Sequence, residues 1–229
     1  MADEQTLAFL QELERADSEI ADTLAKLDEL AAAVDGLRRR TVELEAFRVR
    51  LPAERARLST AKTETSGRVA QCREELAAAE NELREADRAG DEHRSVAVQR
   101  AAVRARDALH MAERAEAEAD AELEQLNAEA RAVEDEGSEL VKRATRLATE
   151  LRERPRLAET AGSFSGQDLA GVAEWAGAAF AALFVARGSL AGEREALIRQ
   201  ANELGAAVLG EPVYVASAAQ VARRVRQSG

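Results

Sequence analysis

Along residues 30–58 a leucine recurs every seven positions, at Leu30, Leu37, Leu44, Leu51 and Leu58. A seven-residue repeat keeps one stripe of an α-helix against a partner, because the helix supercoils to 3.5 residues per turn to hold that stripe in place. Val34, Thr41 and Phe47 fill the 3-4 spacing between the leucines. The pattern predicts a long coiled-coil helix. Pro52 stands inside it, and a proline in a helix interior costs about 3 kcal/mol. Leu58 nevertheless keeps the phase of Leu44 and Leu51, so the reading is one helix with a kink near Pro52 and not a chain reversal. The stripe resumes at Val69, Cys72, Leu76, Leu83 and Ala86.

The pattern stops over residues 87–92. Gly90 can take the positive φ of a residue just past a helix end, and Asp91 can cap a new helix. A second helix follows with its own heptads. One row is Ala119, Leu126, Val133, Leu140 and Leu147; the other is Leu123, Ala130, Gly137, Ala144 and Leu151. Val98, Ala102, Ala105, Leu109 and Ala112 extend the stripe upstream, and Pro155 is expected to end it.

Folding the two helices back at Gly90 brings apolar residues together. Leu83 then meets Val96 and Val98, Leu76 meets Val103 and Ala105, and Cys72 meets Leu109. Leu58 meets Leu123, Leu51 meets Ala130, Leu37 meets Ala144, and Leu30 meets Leu151. The expected fold is therefore all-α: a long antiparallel coiled-coil hairpin with its tip near Gly90. Each arm has roughly 60 residues and is about 90 Å long at 1.5 Å per residue. A parallel homodimer is the alternative that heptads alone allow. The hairpin leaves a stripe at Leu10, Leu13, Ile20, Leu24 and Leu27 without a partner in the second arm.

Composition changes at Pro155. Residues 156–229 hold five of the seven aromatics and nine of the thirteen glycines. Their seven acidic and seven basic side chains cancel, so residues 1–155 carry the whole formal charge of -11. The expected domains are a coiled-coil stalk over 1–155 (first arm 3–88, second arm 92–153) and a small apolar helical head over 156–229, packed on the N-terminal helix. Within the head, Ser165 and Asp168 resemble a capping box opening a helix over about 166–187. A second helix is expected over about 190–209, stopped by Gly210 and Pro212. Ser217 and Gln220 repeat the capping pattern and start a short final helix.

The acidic balance argues against a broad basic surface for nucleic acid. A single cysteine, Cys72, excludes an intrachain disulfide and fits the cytoplasm. The N-terminus lacks the basic and apolar segments of a signal peptide. Lysine occurs only at Lys26, Lys62 and Lys142, while arginine, alanine and glycine are abundant, as in proteins of GC-rich bacteria.

Candidate chemistry is sparse. Cys72 falls on the seam and reads as a small core residue. His110, with Asp107 and Glu113 three residues to either side, lacks the paired Glu-x-x-His motifs of a di-metal bundle. Arg38, Arg39 and Arg40 spread over different helix faces among acids. Gly188 and Gly192 are not followed by the lysine of a phosphate-binding loop. No catalytic residue, metal, cofactor or small-molecule substrate is expected.

Residues 169–186 read LAGVAEWAGAAFAALFVA, eighteen residues with Glu174 as the one charge. That is the minimum length for a membrane span, and Ala173, Gly177 and Ala181 form a small-xxx-small row. The apolar character is weak, so a buried head helix is the first reading. A partner or oligomer face and a membrane contact are the other two. The candidate interaction surface comprises Trp175, Phe180, Phe184, Tyr214, Arg223, Arg224 and Arg226. For the three arginines the first reading is the C-terminal end of the last helix, where cations offset the helix dipole, and the second is contact with an acidic partner or lipid headgroup.

The sequence thus points to a cytoplasmic, non-enzymatic scaffold, spacer or assembly subunit that binds a protein partner or itself. The alternative is a membrane-associated hairpin acting through 169–186. No family motif stands in the chain. Its outline, a long hairpin in an acidic chain, is similar to the phage-shock-protein A and ESCRT-III class of membrane-remodelling proteins. That likeness implies bilayer contact and assigns no residue; the acidic N-terminus and the Gly-rich C-terminal segment depart from it.

Overall fold

The computed structural model describes residues 4–154 and 164–228. Among them are four α-helices and no strand: α1 (Glu4–Ala89), α2 (Glu92–Arg152), α3 (Leu169–Leu209) and α4 (Ala218–Ser228). The protein is all-α. It divides into two compact units. The first comprises Met1–Glu43 with Gly137–Gly229, and the second Leu44–Glu136.

In the second unit, α1 continues through Pro52 as an unbroken α-helix. The seam on both sides of the proline stays out of water: Leu44 is 3% exposed and Leu58 8%. Continued burial of this stripe offsets the hydrogen bond that proline cannot make. The helix ends by local chemistry. Gly90 takes φ +67, its N–H donates to the Asp87 carbonyl (3.2 Å), and the Asp91 N–H reaches back to the Ala86 carbonyl (3.2 Å). This paired closure satisfies carbonyls that the last helical turn leaves without donors. The Asp91 carboxylate then accepts from the Arg94 N–H (3.0 Å) and opens α2.

Polar pairs link α1 to α2 in this unit. Arg55 donates to the Asn127 side-chain oxygen Oδ1 (2.9 Å), Lys62 pairs with Asp120 (2.6 Å), and the Ser66 hydroxyl donates to Glu116 (2.6 Å). Nearer the turn, Arg73 pairs with Glu113 (3.0 Å) and Arg106 with Glu80 (3.1 Å). The paired residue numbers average 91 to 93, slightly beyond Gly90. Val69, Cys72 and Ala112 form a buried cluster with Ala108 and Leu109 packed against it. Nearer the turn the buried positions of α2 differ from expectation. Val98 and Ala102 are buried there, whereas Val96 and Val103, expected to face Leu83 and Leu76, are half exposed at 50% and 52%.

In the first unit, the buried α1 positions Leu27, Leu30, Val34, Leu37 and Thr41 keep the 3-4 spacing. Thr41 fits an apolar seam because its hydroxyl donates to the Leu37 carbonyl of its own helix (2.9 Å). On α2, Leu140, Ala144, Leu147, Ala148 and Leu151 are buried. Helix α2 ends at Arg152; Pro155, expected to stop it, lies outside the described residues.

The C-terminal segment differs from expectation in two ways. One helix of 41 residues, α3, replaces the expected pair, running through Gly188 and Gly192. A glycine inside a helix costs only about 1 kcal/mol, less than burial of Leu183 and Leu190 on either side returns. The helix also starts later than the Ser165 reading implied. Asp168 is its cap, in extended conformation, with its carboxylate accepting from the Gly171 N–H (2.8 Å). At the other end Gly210, at φ +70, closes α3 through its N–H to the Ala206 carbonyl (2.9 Å). Helices α3 and α4 pack on each other. Leu10 and Leu13 of α1 join Ala201, Val213, Ala218, Val221 and Val225 in one buried cluster.

Candidate interaction surface

The surface is built on a junction that anchors α4. Asp17 follows Leu13 by one helical turn, so it lies on the buried face of α1 and is 3% exposed. Its carboxylate accepts from the Arg194 Nε of α3 (2.8 Å) and from the Ala218 N–H at the start of α4 (2.9 Å). One acid therefore joins three helices. The Ser217 hydroxyl accepts from the Gln220 N–H (3.3 Å), and the Gln220 side-chain oxygen accepts from the Ala216 N–H (3.1 Å). Together these acceptors serve the N–H groups that the first turn of a helix leaves unpaired.

The link between α3 and α4 is held by Asn202. Its amide donates to the Val215 carbonyl and its oxygen accepts from the Val215 N–H, both at 3.2 Å. Successive side chains of an extended segment point to opposite sides. Fixing Val215 thus leaves Val213 buried at 3% and turns Tyr214 outward, 88% exposed. Helix α4 approaches α3 closely at Gly205, where a Cβ would lie 2.5 Å from the Val221 Cγ1. An open groove of about 840 Å³ runs beside Tyr214. Ile198, Ala206, Pro212 and Val213 supply apolar lining, and Glu195, Arg199, Glu203 and Glu211 supply charge.

The N-terminal half of α3 presents two unlike faces. On one, Leu169, Val172, Trp175, Ala176, Ala179 and Leu183 are buried. Leu169 contacts α2 at Gly137, where a Cβ would meet its side chain at 3.4 Å. The Trp175 ring packs on Phe164 (centroids 5.6 Å apart). On the other face Phe184 and Val185 stand 70% and 67% exposed. Phe180 lies between the two faces, under the Arg38 guanidinium at 5.5 Å, within cation–π range. Arg187, one turn beyond Phe184, donates to Asp28 of α1 (2.5 Å), and this hydrogen bond and charge raise its pKa further. By length and composition α3 is apolar enough to cross a membrane, with a third of its most apolar window buried.

The seven residues expected to form an interaction surface are therefore distributed. Trp175 belongs to the interior. Phe180 is half-buried beneath Arg38, and Phe184 and Tyr214 are exposed on different stretches of the chain. Arg224 pairs with Glu211 (2.9 Å), and Arg226 pairs with Glu14 of α1 while its Nε donates to the Ala222 carbonyl (3.2 Å). Arg223 is exposed. Val185 was absent from the sequence-derived set; its exposure depends on which side of α3 meets the core. Asp17 was also missed, since nothing local separates it from the other acids.

Elsewhere, Arg38 and Arg39 both pair with Asp35, and Arg40 pairs with Glu43 (2.6 Å). The Arg38 hydrogen bond leads in holding the Asp35 carboxyl below its ordinary pKa. Cys72 is fully buried, and His93 and His110 are exposed. Among the described residues, no three His, Cys, Asp or Glu side chains group to hold a metal ion. No protein-family model, no curated protein and no solved structure matches the chain.

Proposed function

We propose that this protein is a non-enzymatic, cytoplasmic coiled-coil scaffold or assembly subunit, bacterial in origin, that meets a protein partner or another copy of itself. In this reading α1 and α2 pair as an antiparallel coiled-coil hairpin, and the C-terminal helices form a head on the N-terminal part of α1. One observation supports it: over residues 44–136 both helices bury heptad positions, Leu58 and Cys72 on α1 and Ala112, Ala119 and Leu126 on α2. Ion pairs between α1 and α2 lie on both sides of the buried Val69, Cys72 and Ala112. Such a seam supplies no partner surface of its own, so partners meet exposed faces, among them the one carrying Phe184 and Val185 on α3.

The hairpin is tested by cysteines at Leu58 and Leu123 on a Cys72→Ser background. An intramolecular disulfide forming at low protein concentration supports it, and crosslinked dimers alone replace it with a parallel pair. For the α3 face, Phe184→Asp is expected to leave thermal melting unchanged, because the side chain is exposed, and to abolish partner capture or self-association. Retention of both removes this face from the reading.

A second reading is favoured by the same two side chains. In it, α3 contacts a bilayer through 169–186. Cosedimentation with anionic and neutral liposomes, lost in Phe184→Asp, supports this alternative. Absence of the wild-type protein from the liposome pellet removes it.

A further inference from the structure

Helix α2 carries its charge in two blocks. Residues 93–106 contain four arginines and no acid, in a chain that holds 43 acids; residues 116–129 contain six acids and no basic residue. Contacts with α1 account for part of each block. Arg106 pairs with Glu80, Asp120 with Lys62, and Glu116 accepts from Ser66. They leave Arg94, Arg100, Arg104, Glu122 and Glu124 unengaged. All five are exposed, and among the described residues their side chains make no ion pair and no hydrogen bond. On the side of α2 turned away from the buried Val98, Ala102, Ala112 and Ala119 stand Val96, Val103 and Met111, 50%, 52% and 64% exposed. Ala117, Ala121 and Ala128 carry this line into the acidic block and are exposed as well. Around Val96 and Val103 an open surface of about 690 Å³ is bordered by Ala97, Gln99, Arg100 and Arg104, with no acid among its lining residues.

A helix face that is basic at one end, acidic at the other and apolar along its length is complementary to itself reversed. We propose that this face of α2 binds the same face of a second copy, antiparallel across a twofold axis near Met111. The basic block of each copy then lies on the acidic block of the other, so every contact is made twice and the pair closes as a dimer. Setting Val103 against Ala121 of the other copy brings Val96 to Ala128, Arg100 to Glu124 and Arg104 to Glu118, and places the two Met111 side chains together. This register gives both unengaged arginines of the face an acid. Glu113 then approaches its own copy and Arg114 approaches His110, but within each chain Glu113 is tied to Arg73 and Arg114 to Glu118. A parallel pairing sets Arg100, Arg104, Glu118 and Glu124 each against itself, and like charges across an interface disfavour that direction.

The inference rests on the hairpin reading, which leaves this face of α2 outward, and the experiment separates the two. Sedimentation of the full chain across a hundredfold range of concentration is expected to show a monomer–dimer equilibrium. The dimer should weaken between about 0.1 and about 1 M salt, as the screening length falls from about 10 to about 3 Å. Arg100→Glu with Arg104→Glu should weaken it roughly tenfold, and so should Glu118→Arg with Glu124→Arg, since attractive contacts on both sides of the axis become repulsive. Thermal melting should stay unchanged in both, because these side chains are exposed. All four substitutions together should restore the dimer. Restoration is specific to this arrangement: if α2 instead met the acids Glu82 and Glu85 on α1 of a neighbouring copy, either pair of reversals would break the contact and the combination would not repair it. A wild type that stays monomeric, a mass that grows beyond a dimer, either pair without effect, or a combination that fails to restore association overturns the proposal. The Leu58–Leu123 disulfide, measured in parallel, reports on the hairpin alone: if it forms while the chain stays monomeric, the self-association inference fails and the hairpin stands.

Discussion

Replacing Asp17 by alanine removes a side chain of α1 that hydrogen-bonds both α3 and α4. The expected loss can be worked from its two hydrogen bonds. The Ala218 N–H loses its carboxylate acceptor at a fully buried position, which costs about 1–3 kcal/mol. The Arg194 guanidinium loses its partner too, but its side chain is 33% exposed and can turn toward water. It therefore adds only about 1 kcal/mol, well below the cost of stranding a fully buried charge. The sum is about 2–4 kcal/mol. Asp17→Asn keeps an oxygen for the Ala218 N–H and loses the charge, so about half of that is expected. The assay is urea unfolding followed by fluorescence of Trp175, the only tryptophan, which lies in the same unit as Asp17. A double-mutant cycle with Arg194→Ala isolates the pair, with a coupling of about 1 kcal/mol or more expected. A shift below about 0.5 kcal/mol for Asp17→Ala, the range of ordinary surface substitutions, would refute the idea that this acid fastens the three helices.

Gly205→Ala sets a Cβ at 2.5 Å from the Val221 Cγ1, so it should destabilise by about 1–3 kcal/mol. Adding Val221→Ala should relieve the contact; an equal loss in single and double variants would show that it does not govern the packing. Leu44→Asp buries an unpaired charge at a position 3% exposed and should cost several kcal/mol, roughly 3–5; an unchanged thermal melt by circular dichroism places Leu44 outside a seam. Glu29, Asp35 and Glu139 are held below their ordinary pKa, led by hydrogen bonds from Lys26, Arg38 and Lys142. A depressed carboxyl stabilises the fold above its unfolded pKa, and the gain is lost as pH falls through the folded value. The melting advantage of the wild type over a Glu29→Gln, Asp35→Asn, Glu139→Gln variant should therefore be present at neutral pH and disappear below about pH 4. An advantage that persists or grows in acid contradicts the assignment.

The features legible in the sequence are those with local causes. Leu30, Leu37, Leu44 and Leu58 announce their burial by period, because a helix turns each residue by a fixed angle and a seven-residue repeat returns to one side. Gly90 and Asp91 mark the end of one helix and the start of the next through backbone freedom and a short side-chain acceptor. Ser217 and Gln220 open α4 by the same logic. The sequence was misleading where local signals compete. Ser165 with Asp168 resembles a capping box, yet Asp168 itself is the cap of α3. Gly188 looks like a break, yet burial on either side carries the helix through it.

Other features depend on which elements meet, and no local pattern records that. Asp17 is one of 43 acidic residues, and only the approach of Arg194 and Ala218 gives it a role. Gly205 matters because Val221 lies against it, and Val96 and Val103 stand in water because α2 buries the face that carries Val98 and Ala102 instead. By itself the sequence determined that the chain is helical, the period of the buried stripe in α1 and α2, and the ends of those two helices at Gly90 and Asp91, since period and capping act within a few residues. Only the tertiary structure decided which acid is buried, which glycine is required and which face of α3 is left for a partner, because those depend on contacts between residues far apart in the chain.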